Sequence, residues 1–400
     1  MIRHSARRLA QRCYLGLFFG LLAAPLVSHK WVDDPGIRST EQRNAAPLPA
    51  LPESWTALLK WPKQADAYLA DHFGERTDMV LLYNRLRYEV FGETPTEQTV
   101  FGTSGRLFLT SHDVERPYQL IGIVCGGTIP DAMLDQAIAD LAAFQRQAAS
   151  WAPNSYVMIV PSVPALYPGE LPDWVQPQCP PTTMIDRLIR RLPPGELHDR
   201  LLYPKPQMLA AESGGELVPR DNFHWEGLGP ETAARVFAED RLGLSPHFAL
   251  PTRELAMLSD IRYLIPGIPT GATVLEPDLD AAGVEHCSAD HCFPELGPID
   301  TVLGDTSRIR SPHAGDKKLL IISNSFGHMV VPWFVPYFGT IWHFSTNYLG
   351  DLTPDQVATL RRLAFTQYQP DIVLYLFHDG AALYLGAFGN AALWRPGNPS

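Results

Sequence analysis

The sequence is poor in basic residues for its length. Its 400 residues contain 32 Lys and Arg against 43 Asp and Glu, which gives a formal net charge of −11 at pH 7. The first 30 residues contain basic but no acidic side chains, so the remainder of the chain is more acidic still. Proteins that bind nucleic acid need a basic surface to neutralise phosphates. The composition therefore disfavours a nucleic-acid partner.

The sequence also lacks the glycine-rich loops that hold phosphate groups. It contains no Walker motif and no dinucleotide-binding fingerprint. It does contain 46% hydrophobic and 10% aromatic residues. This is enough apolar material for the packed core of one large domain or two modest ones.

A long hydrophobic run is absent as well. Residues 14–27 are apolar apart from Gly and Pro25, and they follow four arginines within residues 1–12. A helix over this run would span roughly 21 Å, short of the roughly 30 Å hydrocarbon core of a membrane. The pattern predicts an export segment over residues 1–30. A cleaved signal peptide and a signal anchor that attaches the chain to a membrane both remain open, because Pro25 directly follows Ala24 and no clean cleavage site is present.

Cysteines are few, and one of the five, Cys13, lies in the export segment. The even number that remains permits disulfides in an exported chain. These four are Cys125, Cys179, Cys287 and Cys292. Residues 286–292 (HCSADHC) hold four possible nitrogen and sulfur ligands, but their spacing matches no common zinc pattern. We expect a Cys287–Cys292 disulfide, with a zinc site or free thiols as the alternatives.

The order of patterns along the chain predicts an α/β domain. Residues 31–61 lack periodicity and are predicted to be a linker, residues 62–91 to form amphipathic helices, and residues 99–109 to form a hairpin. A long Pro- and Gly-rich excursion is expected at about 245–316. Elsewhere helices alternate with strand-like runs, which predicts one domain over 62–400 with a mostly parallel sheet flanked by helices. The runs lie at 155–160, 201–203, 318–322, 340–344 and 371–377.

Ser325 lies where a strand is expected to turn into a helix. The apolar run 318–322 (KLLII) leads into residues 323–327 (SNSFG). A turn there would project the Ser325 hydroxyl above the sheet and direct backbone N–H groups at a developing oxyanion. The pattern favours Ser325 as a nucleophile, and the alternative is a serine that only caps the helix. We predict Asn324 and Asn347 as oxyanion or substrate contacts.

His224 is the predicted base. Asp221 precedes it by three residues, and Phe223 and Trp225 flank it. A carboxylate on one ring nitrogen fixes the tautomer and leaves the other nitrogen to take the serine proton. A helix-capping histidine is the alternative. His378 is a second possible base, although its neighbour Asp379 points away from it in an extended chain.

Four ordered segments resemble one family. They are residues 102–108 (GTSGRLF), 160–172 (VPSVPALYPGELP), 222–225 (NFHW) and 323–326 (SNSF). They resemble the hairpin, the V-P-x-K strand and loop, the D-x-H-W motif and the G-D-S-F motif of the SGNH-like acetyltransferases of exopolysaccharide O-acetylation, the alginate AlgJ/AlgX group. The base precedes the nucleophile in both, an order that is circularly shifted relative to ordinary GDSL esterases.

The resemblance implies an SGNH-like fold and a periplasmic O-acetyltransferase. Ser325 would carry an acetyl group to a cell-surface or exported polysaccharide, and a membrane-bound O-acyltransferase would be the acyl source. No metal or soluble cofactor is implied. A carbohydrate acetylesterase, or a catalytically weakened polysaccharide-binding or assembly component, are the alternatives.

The chain departs from the family pattern at three positions. Asn222 stands at the position of the family's catalytic Asp, Asn324 replaces the Asp before the nucleophile, and Val163 replaces a lysine. An amide cannot stabilise an imidazolium as a carboxylate does. We therefore predict Asp221, one residue earlier, as the acid that orients His224, with Asn222 as the alternative.

Overall fold

The computed structural model describes residues 12–20, 35–72, 75–127, 129–289 and 292–382. The chain divides into two compact units. One comprises the residues up to Thr96 together with Ile261–Thr270, and the other comprises Glu97–Asp260 and the residues from Gly271 onward. The sequence predicts instead a linker over 31–61 and one domain from residue 62.

The first unit is helical. Its α-helices are Pro35–Glu41, Trp55–Asp71 and Arg76–Phe91. The second helix begins inside the predicted linker because the hydroxyl of Ser54 accepts a hydrogen bond from the Ala57 N–H and caps it. Both terminal nitrogens of Arg43 donate to the Asp71 carboxylate at 2.6 Å, which lowers the pKa of Asp71 to about 2. The predicted linker is therefore helical at 35–41 and from residue 55.

The second unit is built on a seven-stranded sheet. Its strands are β3 (Ser155–Val160), β4 (Leu201–Leu202), β7 (Glu285–Ala289), β8 (Thr306–Arg310), β9 (Lys318–Ser323), β10 (Thr340–Ser345) and β11 (Ile372–His378). They lie in the order β4-β3-β11-β9-β10-β8-β7. The five strands from β4 to β10 are parallel, whereas β8 is antiparallel to both β10 and β7. The predicted α/β class with a mostly parallel sheet is confirmed.

Two hairpins accompany the sheet. The first, β1 (Thr99–Phe101) with β2 (Leu107–Leu109), forms where the sequence predicts it. The second, β5 (Thr252–Met257) with β6 (Ala272–Pro277), lies in the predicted excursion. The same stretch supplies β7 and β8, so it contributes one edge of the sheet.

Helices flank this sheet. They are Gln119–Cys125, Asp131–Trp151, Val163–Leu166, Met184–Arg191, Glu196–Arg200, Lys205–Ala211, Leu228–Arg235, Pro298–Leu303, Gly327–Val330, Pro354–Arg361 and Asp379–Ala382. Leu319, Leu320, Ile321 and Ile322 of β9 are 0% exposed. A parallel strand covered on both faces is expected to be apolar without alternation, which explains the continuous run in the sequence.

The carboxyl ends of the central strands meet at one edge. Ser323 of β9 pairs with Ser345 of β10 and with Leu376 of β11. Ser325 therefore lies two residues beyond the paired end of its strand, as Asn347 does beyond Ser345. Ligand sites of open α/β sheets form at this edge.

Two disulfides lie in the second unit, Cys125–Cys179 and Cys287–Cys292. The second confirms the predicted pair and replaces the zinc and free-thiol alternatives for Cys287 and Cys292. Of the predicted export segment, residues 12–20 are helical and the rest falls outside the described residues. Within the described part of the chain, no helix combines the length and the apolar character needed to cross a membrane.

Candidate active site

Ser325 lies on the turn between β9 and the helix Gly327–Val330, and it is half-buried. The side chain of Asn324 shapes this turn, because its Oδ1 accepts a hydrogen bond from the Phe326 N–H at 3.2 Å. The Asn324 carbonyl accepts the Gly327 N–H at 3.1 Å. The structure thus assigns the predicted contact residue Asn324 to the geometry of the turn that presents Ser325.

His224 contacts the Ser325 hydroxyl. Its Nε2 lies 2.7 Å from Ser325 Oγ, within the range that proton transfer between a nucleophile and a base requires. The His224 side chain is 18% exposed and Ser325 is half-buried, so the pair is partly open to solvent. The structure therefore brings together the two residues that the sequence singles out as nucleophile and base.

The carboxylate that holds His224 belongs to Asp260. Its Oδ2 lies 2.5 Å from His224 Nδ1. The same carboxylate accepts the backbone N–H groups of Phe223 and His224, each at 2.9 Å. The prediction that Asp221 orients His224 is wrong, because Asp260, which lies 36 positions after His224, occupies that place.

Asp221 and Asn222 instead hold the chain around Asp260. Asp221 Oδ2 accepts the Gly271 N–H at 2.6 Å, and the Asp221 carbonyl accepts the Ser259 hydroxyl at 2.5 Å. Asn222 is buried, with its Nδ2 4.0 Å from the sulfur of Met257. Asn222 is therefore not the orienting group either.

Trp225 connects the loop of the base to the turn of the nucleophile. It is 0% exposed, and its indole N–H donates to the Phe326 carbonyl at 2.9 Å. The ring of Phe223 meets the ring of Phe326 edge to face, with centroids 5.2 Å apart. These contacts surround the hydrogen bond between His224 and Ser325 and fix the two loops in register.

The hairpin and the loop at 160–172 support the segment that leads to His224. The guanidinium of the buried Arg106 lies 3.6 Å from the ring centroid of Tyr167 and donates to the Val218 carbonyl at 3.0 Å. Tyr167 Oη accepts the Leu217 N–H at 3.1 Å. The first two segments of the family resemblance thus position the third.

One backbone donor is available for an oxyanion. The Ser325 N–H donates to no residue that the structure describes. It therefore lies at the nucleophile without an internal partner, as an oxyanion hole requires. Asn347 is exposed at the same sheet edge, and its N–H donates to Ser345 Oγ at 3.3 Å. Its contact with an oxyanion stays a prediction.

His378 packs behind the site. Its Nδ1 accepts the Gly380 N–H at 3.1 Å, and its ring lies 5.0 Å from that of Phe326. Burial, with His112 and His224 nearby, lowers the pKa of His378 to about 3. This histidine is therefore neutral, and His224 holds the hydrogen bond to Ser325.

The arrangement is a hydroxyl, an imidazole and a carboxylate connected by hydrogen bonds. Such a chain removes the hydroxyl proton and stabilises the imidazolium that forms, so it supports acyl transfer through a covalent intermediate. In the ranges described above, no three or more His, Cys, Asp or Glu side chains converge as they would around a metal ion.

No family model matches the chain, and no curated protein sequence matches it. Its fold is similar to a DHHW family protein from Eubacterium siraeum DSM 15702, with 16% identity, a TM-score of 0.43, and coverage of 63% of this chain and 89% of that one. Bacillus cereus PatB1 with a sulfonyl adduct gives 11% identity, a TM-score of 0.41 and coverage of 63% and 90%. The O-acetyltransferase domain of Pseudomonas putida AlgJ gives 13% identity, a TM-score of 0.41, and coverage of 74% of this chain and 98% of that one.

Proposed function

We propose that the protein is an SGNH-like O-acetyltransferase that transfers an acetyl group to a cell-surface or exported polysaccharide. The hydrogen bonds from His224 to Ser325 and to Asp260 carry the proposal. The choice of acetyl as the acyl group and of a polysaccharide as the acceptor rests on the sequence resemblance. The two disulfides suit an oxidising compartment such as the periplasm, and a membrane-bound O-acyltransferase is the proposed acyl source.

In the first half-reaction, Ser325 Oγ attacks the acetyl carbonyl while His224 Nε2 takes its proton. The oxyanion accepts a hydrogen bond from the Ser325 N–H. The donor oxygen then leaves with the proton from His224, and acetyl-Ser325 remains. Asp260 holds the ring throughout and stabilises its positive charge.

In the second half-reaction, a sugar hydroxyl gives its proton to His224 and attacks acetyl-Ser325. The proton returns to Ser325 Oγ as the sugar ester leaves. Water in place of the sugar would make the same site an esterase. Transfer and hydrolysis therefore differ only in the group that reaches the acyl-enzyme.

The test uses the full-length chain and p-nitrophenyl acetate as the acetyl donor. We expect a burst of nitrophenol and an acetyl adduct on Ser325 by peptide mass spectrometry. Ser325→Ala should lose both, because it removes the attacking oxygen. The matched control is Ser162→Ala, at the end of β3 on the same sheet edge, which should retain both.

An added oligosaccharide then separates transfer from hydrolysis. Acetylated sugar in the mass spectrum supports the transferase, whereas release of acetate alone supports the esterase. A wild-type chain without an adduct on Ser325, or an adduct that persists in Ser325→Ala, would refute the serine mechanism.

A further inference from the structure

A cavity of about 180 Å³ lies beside the helix that follows Ser325, and His328 of that helix is one of its lining residues. The hairpin β5–β6, the edge strands β7 and β8, and the helix Gly327–Val330 enclose it. Polar side chains contributed by all five elements line it. They include Arg253, Glu276, His286, Ser288, Ser307 and His328.

His328 connects this cavity to the nucleophile turn. It lies three residues after Ser325, about one helical turn along the chain. Its Nδ1 is buried and lies 3.1 Å from Asp305 Oδ1, while the side chain as a whole is 40% exposed. The exposed part of the ring therefore carries Nε2. This is a second imidazole–carboxylate pair beside the nucleophile, and the proposed acyl-enzyme chemistry does not use it.

The state of His328 depends on the groups around it. Asp305 raises the pKa of His328 most, Glu226 raises it further, and burial opposes them. His343 also lies nearby, but its own pKa is lowered to about 4 by burial, so it is neutral. These groups shift the balance of His328 toward its protonated form, in which Nε2 is a hydrogen-bond donor.

Each basic side chain along the described wall of the cavity has an acidic partner. Arg253 pairs with Glu276 at 2.7 Å and His286 pairs with Asp280 at 3.0 Å, as His328 does with Asp305. A ligand carboxylate would therefore compete with an acidic side chain for each of these groups. Hydroxyl groups, in contrast, can both donate to and accept from such pairs.

Glu226 makes the region less favourable still for an anion. Burial raises the pKa of Glu226 to about 7; His328 opposes the rise, and Asp260 and Glu276 add to it. A ligand carboxylate here would add to repulsion that already opposes ionisation of Glu226.

We propose that this cavity is the acceptor subsite of the transferase, and that it takes one uncharged sugar ring whose hydroxyl accepts a hydrogen bond from His328 Nε2. The inference rests on the proposed function and narrows it to neutral polysaccharides rather than polyuronates. The volume agrees, since it lies below the roughly 300–1,000 Å³ of sites for drug-sized ligands. Ser288 and Ser307, which pair across β7 and β8, add two hydroxyls to the wall.

Binding is tested first, without turnover, on full-length Ser325→Ala. Saturation-transfer NMR compares the methyl glycosides of glucose, mannose and galactose with the methyl glycosides of the matching uronic acids. Each pair differs only in the carboxylate that replaces the C6 hydroxymethyl group. We expect at least one neutral glycoside to bind tenfold or more tightly than its uronate. The proposal is overturned if none of the three does so.

Two added substitutions locate the binding. His328→Ala removes the donor, and Ser288→Trp fills the cavity from an exposed strand position while His328 remains. Each should weaken binding of the preferred neutral glycoside at least tenfold. The matched control is His198→Ala, an exposed histidine 3.3 Å from an aspartate, Asp199, which should bind like its parent. If His328→Ala and Ser288→Trp bind the glycoside as tightly as the His198→Ala control does, the assignment of the cavity is overturned.

Turnover separates this inference from the proposed function. In chains that retain Ser325, His328→Ala should lower the ratio of sugar acetylation to acetate release at least tenfold. If acetyl-Ser325 forms but this ratio is unchanged, the subsite is refuted and the acyl-enzyme stands. If neutral glycosides bind in the cavity but acetyl-Ser325 never forms, the binding site stands and the transferase is refuted.

Discussion

At the scale of single residues, one carboxylate organises the base. Asp260 accepts three hydrogen bonds, from the ring of His224 and from the backbone of Phe223 and His224. It therefore fixes both the imidazole and the loop that carries it. In the proposed mechanism, a carboxylate held in this way also stabilises the positive charge that His224 gains when Ser325 attacks.

Asp260→Asn tests this role. The amide would donate to His224 Nδ1 and favour the wrong tautomer, so we expect kcat for p-nitrophenyl acetate to fall on the order of 10⁴-fold, as in serine proteases. Asp221→Asn is the matched control and should stay within about tenfold of the parent, because Asp221 contacts Gly271 and Ser259 rather than the ring. Comparable losses of kcat in both variants would show that Asp221 also orients His224.

Two of the three residues of the site were accessible from local sequence. Ser325 follows an apolar strand-like run, and His224 lies among flanking aromatic and polar residues. Asp260 has neither signal, because it follows a short hairpin strand in a stretch without periodicity, 36 residues from His224. Only the folding of β5–β6 brings it to the imidazole, so sequence spacing favoured the nearer acid.

Glu226 gives a pH-dependent prediction. Its pKa is about 7 in the folded chain against an ordinary value of 4.5, so between these values the folded state binds more protons than the unfolded state. The contribution of Glu226 to the free energy of unfolding therefore falls as pH rises through that window. Glu226→Gln should be more stable relative to wild type at pH 8 than at pH 5, by on the order of 1–3 kcal/mol.

Urea unfolding of both chains at the two pH values measures this double difference. Other titrating groups are common to both chains and cancel. A difference between variant and parent that is the same at pH 5 and pH 8 would show that Glu226 ionises normally.

At the scale of elements, the helix after Ser325 needs a glycine at its first position. A Cβ on Gly327 would lie 1.8 Å from Ser323 Oγ and 2.8 Å from His343 Nε2. Those two atoms are themselves hydrogen-bonded at 2.8 Å within the buried end of β9 and β10. The turn that presents Ser325 therefore lies directly against a buried polar pair.

Gly327→Ala should displace this turn. We expect a loss of about 1–3 kcal/mol in the free energy of unfolding, as for other overpacked sites, and a reduced burst of nitrophenol. Gly122→Ala is the control, because this glycine lies within the helix Gln119–Cys125 with nothing near a new Cβ. It should gain about 0.5–1 kcal/mol. If Gly327→Ala has the same free energy of unfolding and the same nitrophenol burst as the parent, the turn can accommodate the added methyl group.

Elements with strong local signals were predictable, and others were not. The buried parallel strands β3, β9, β10 and β11 are predominantly apolar, as expected for strands covered on both faces. Strand β7 (EHCSA) is polar and lies at the sheet edge, so its strand character depends on its pairing with β8. The spacing of apolar residues predicted helices only from residue 62, yet the helix Trp55–Asp71 begins seven residues earlier and Pro62 lies in its interior.

At the scale of the whole molecule, the two disulfides close loops of very different length. Cys125–Cys179 connects residues 54 apart, whereas Cys287–Cys292 connects residues 5 apart. In the chain-entropy description, a cross-link stabilises by restricting the unfolded state, and more so for a longer loop. The first disulfide should therefore contribute more to stability than the second.

Paired substitutions to alanine measure the two contributions. We expect removal of Cys125–Cys179 to cost roughly 4 kcal/mol and removal of Cys287–Cys292 roughly 2 kcal/mol in the free energy of unfolding. The chain with Cys13→Ala is the control for loss of a thiol, since Cys13 is free. A larger loss from the short loop would contradict the ranking.

The contacts between the two loops of the candidate site have a consequence for how this protein can diverge. His224 meets Ser325 and Trp225 meets Phe326, so two consecutive residues pair with two consecutive residues. Insertions in the loops between these dipeptides should leave the pairing intact, whereas a single insertion within either one should break it. The stretch between the dipeptides also provides the acid, Asp260. Distant relatives should be recognised by the two dipeptides in order, whatever the number of residues between them.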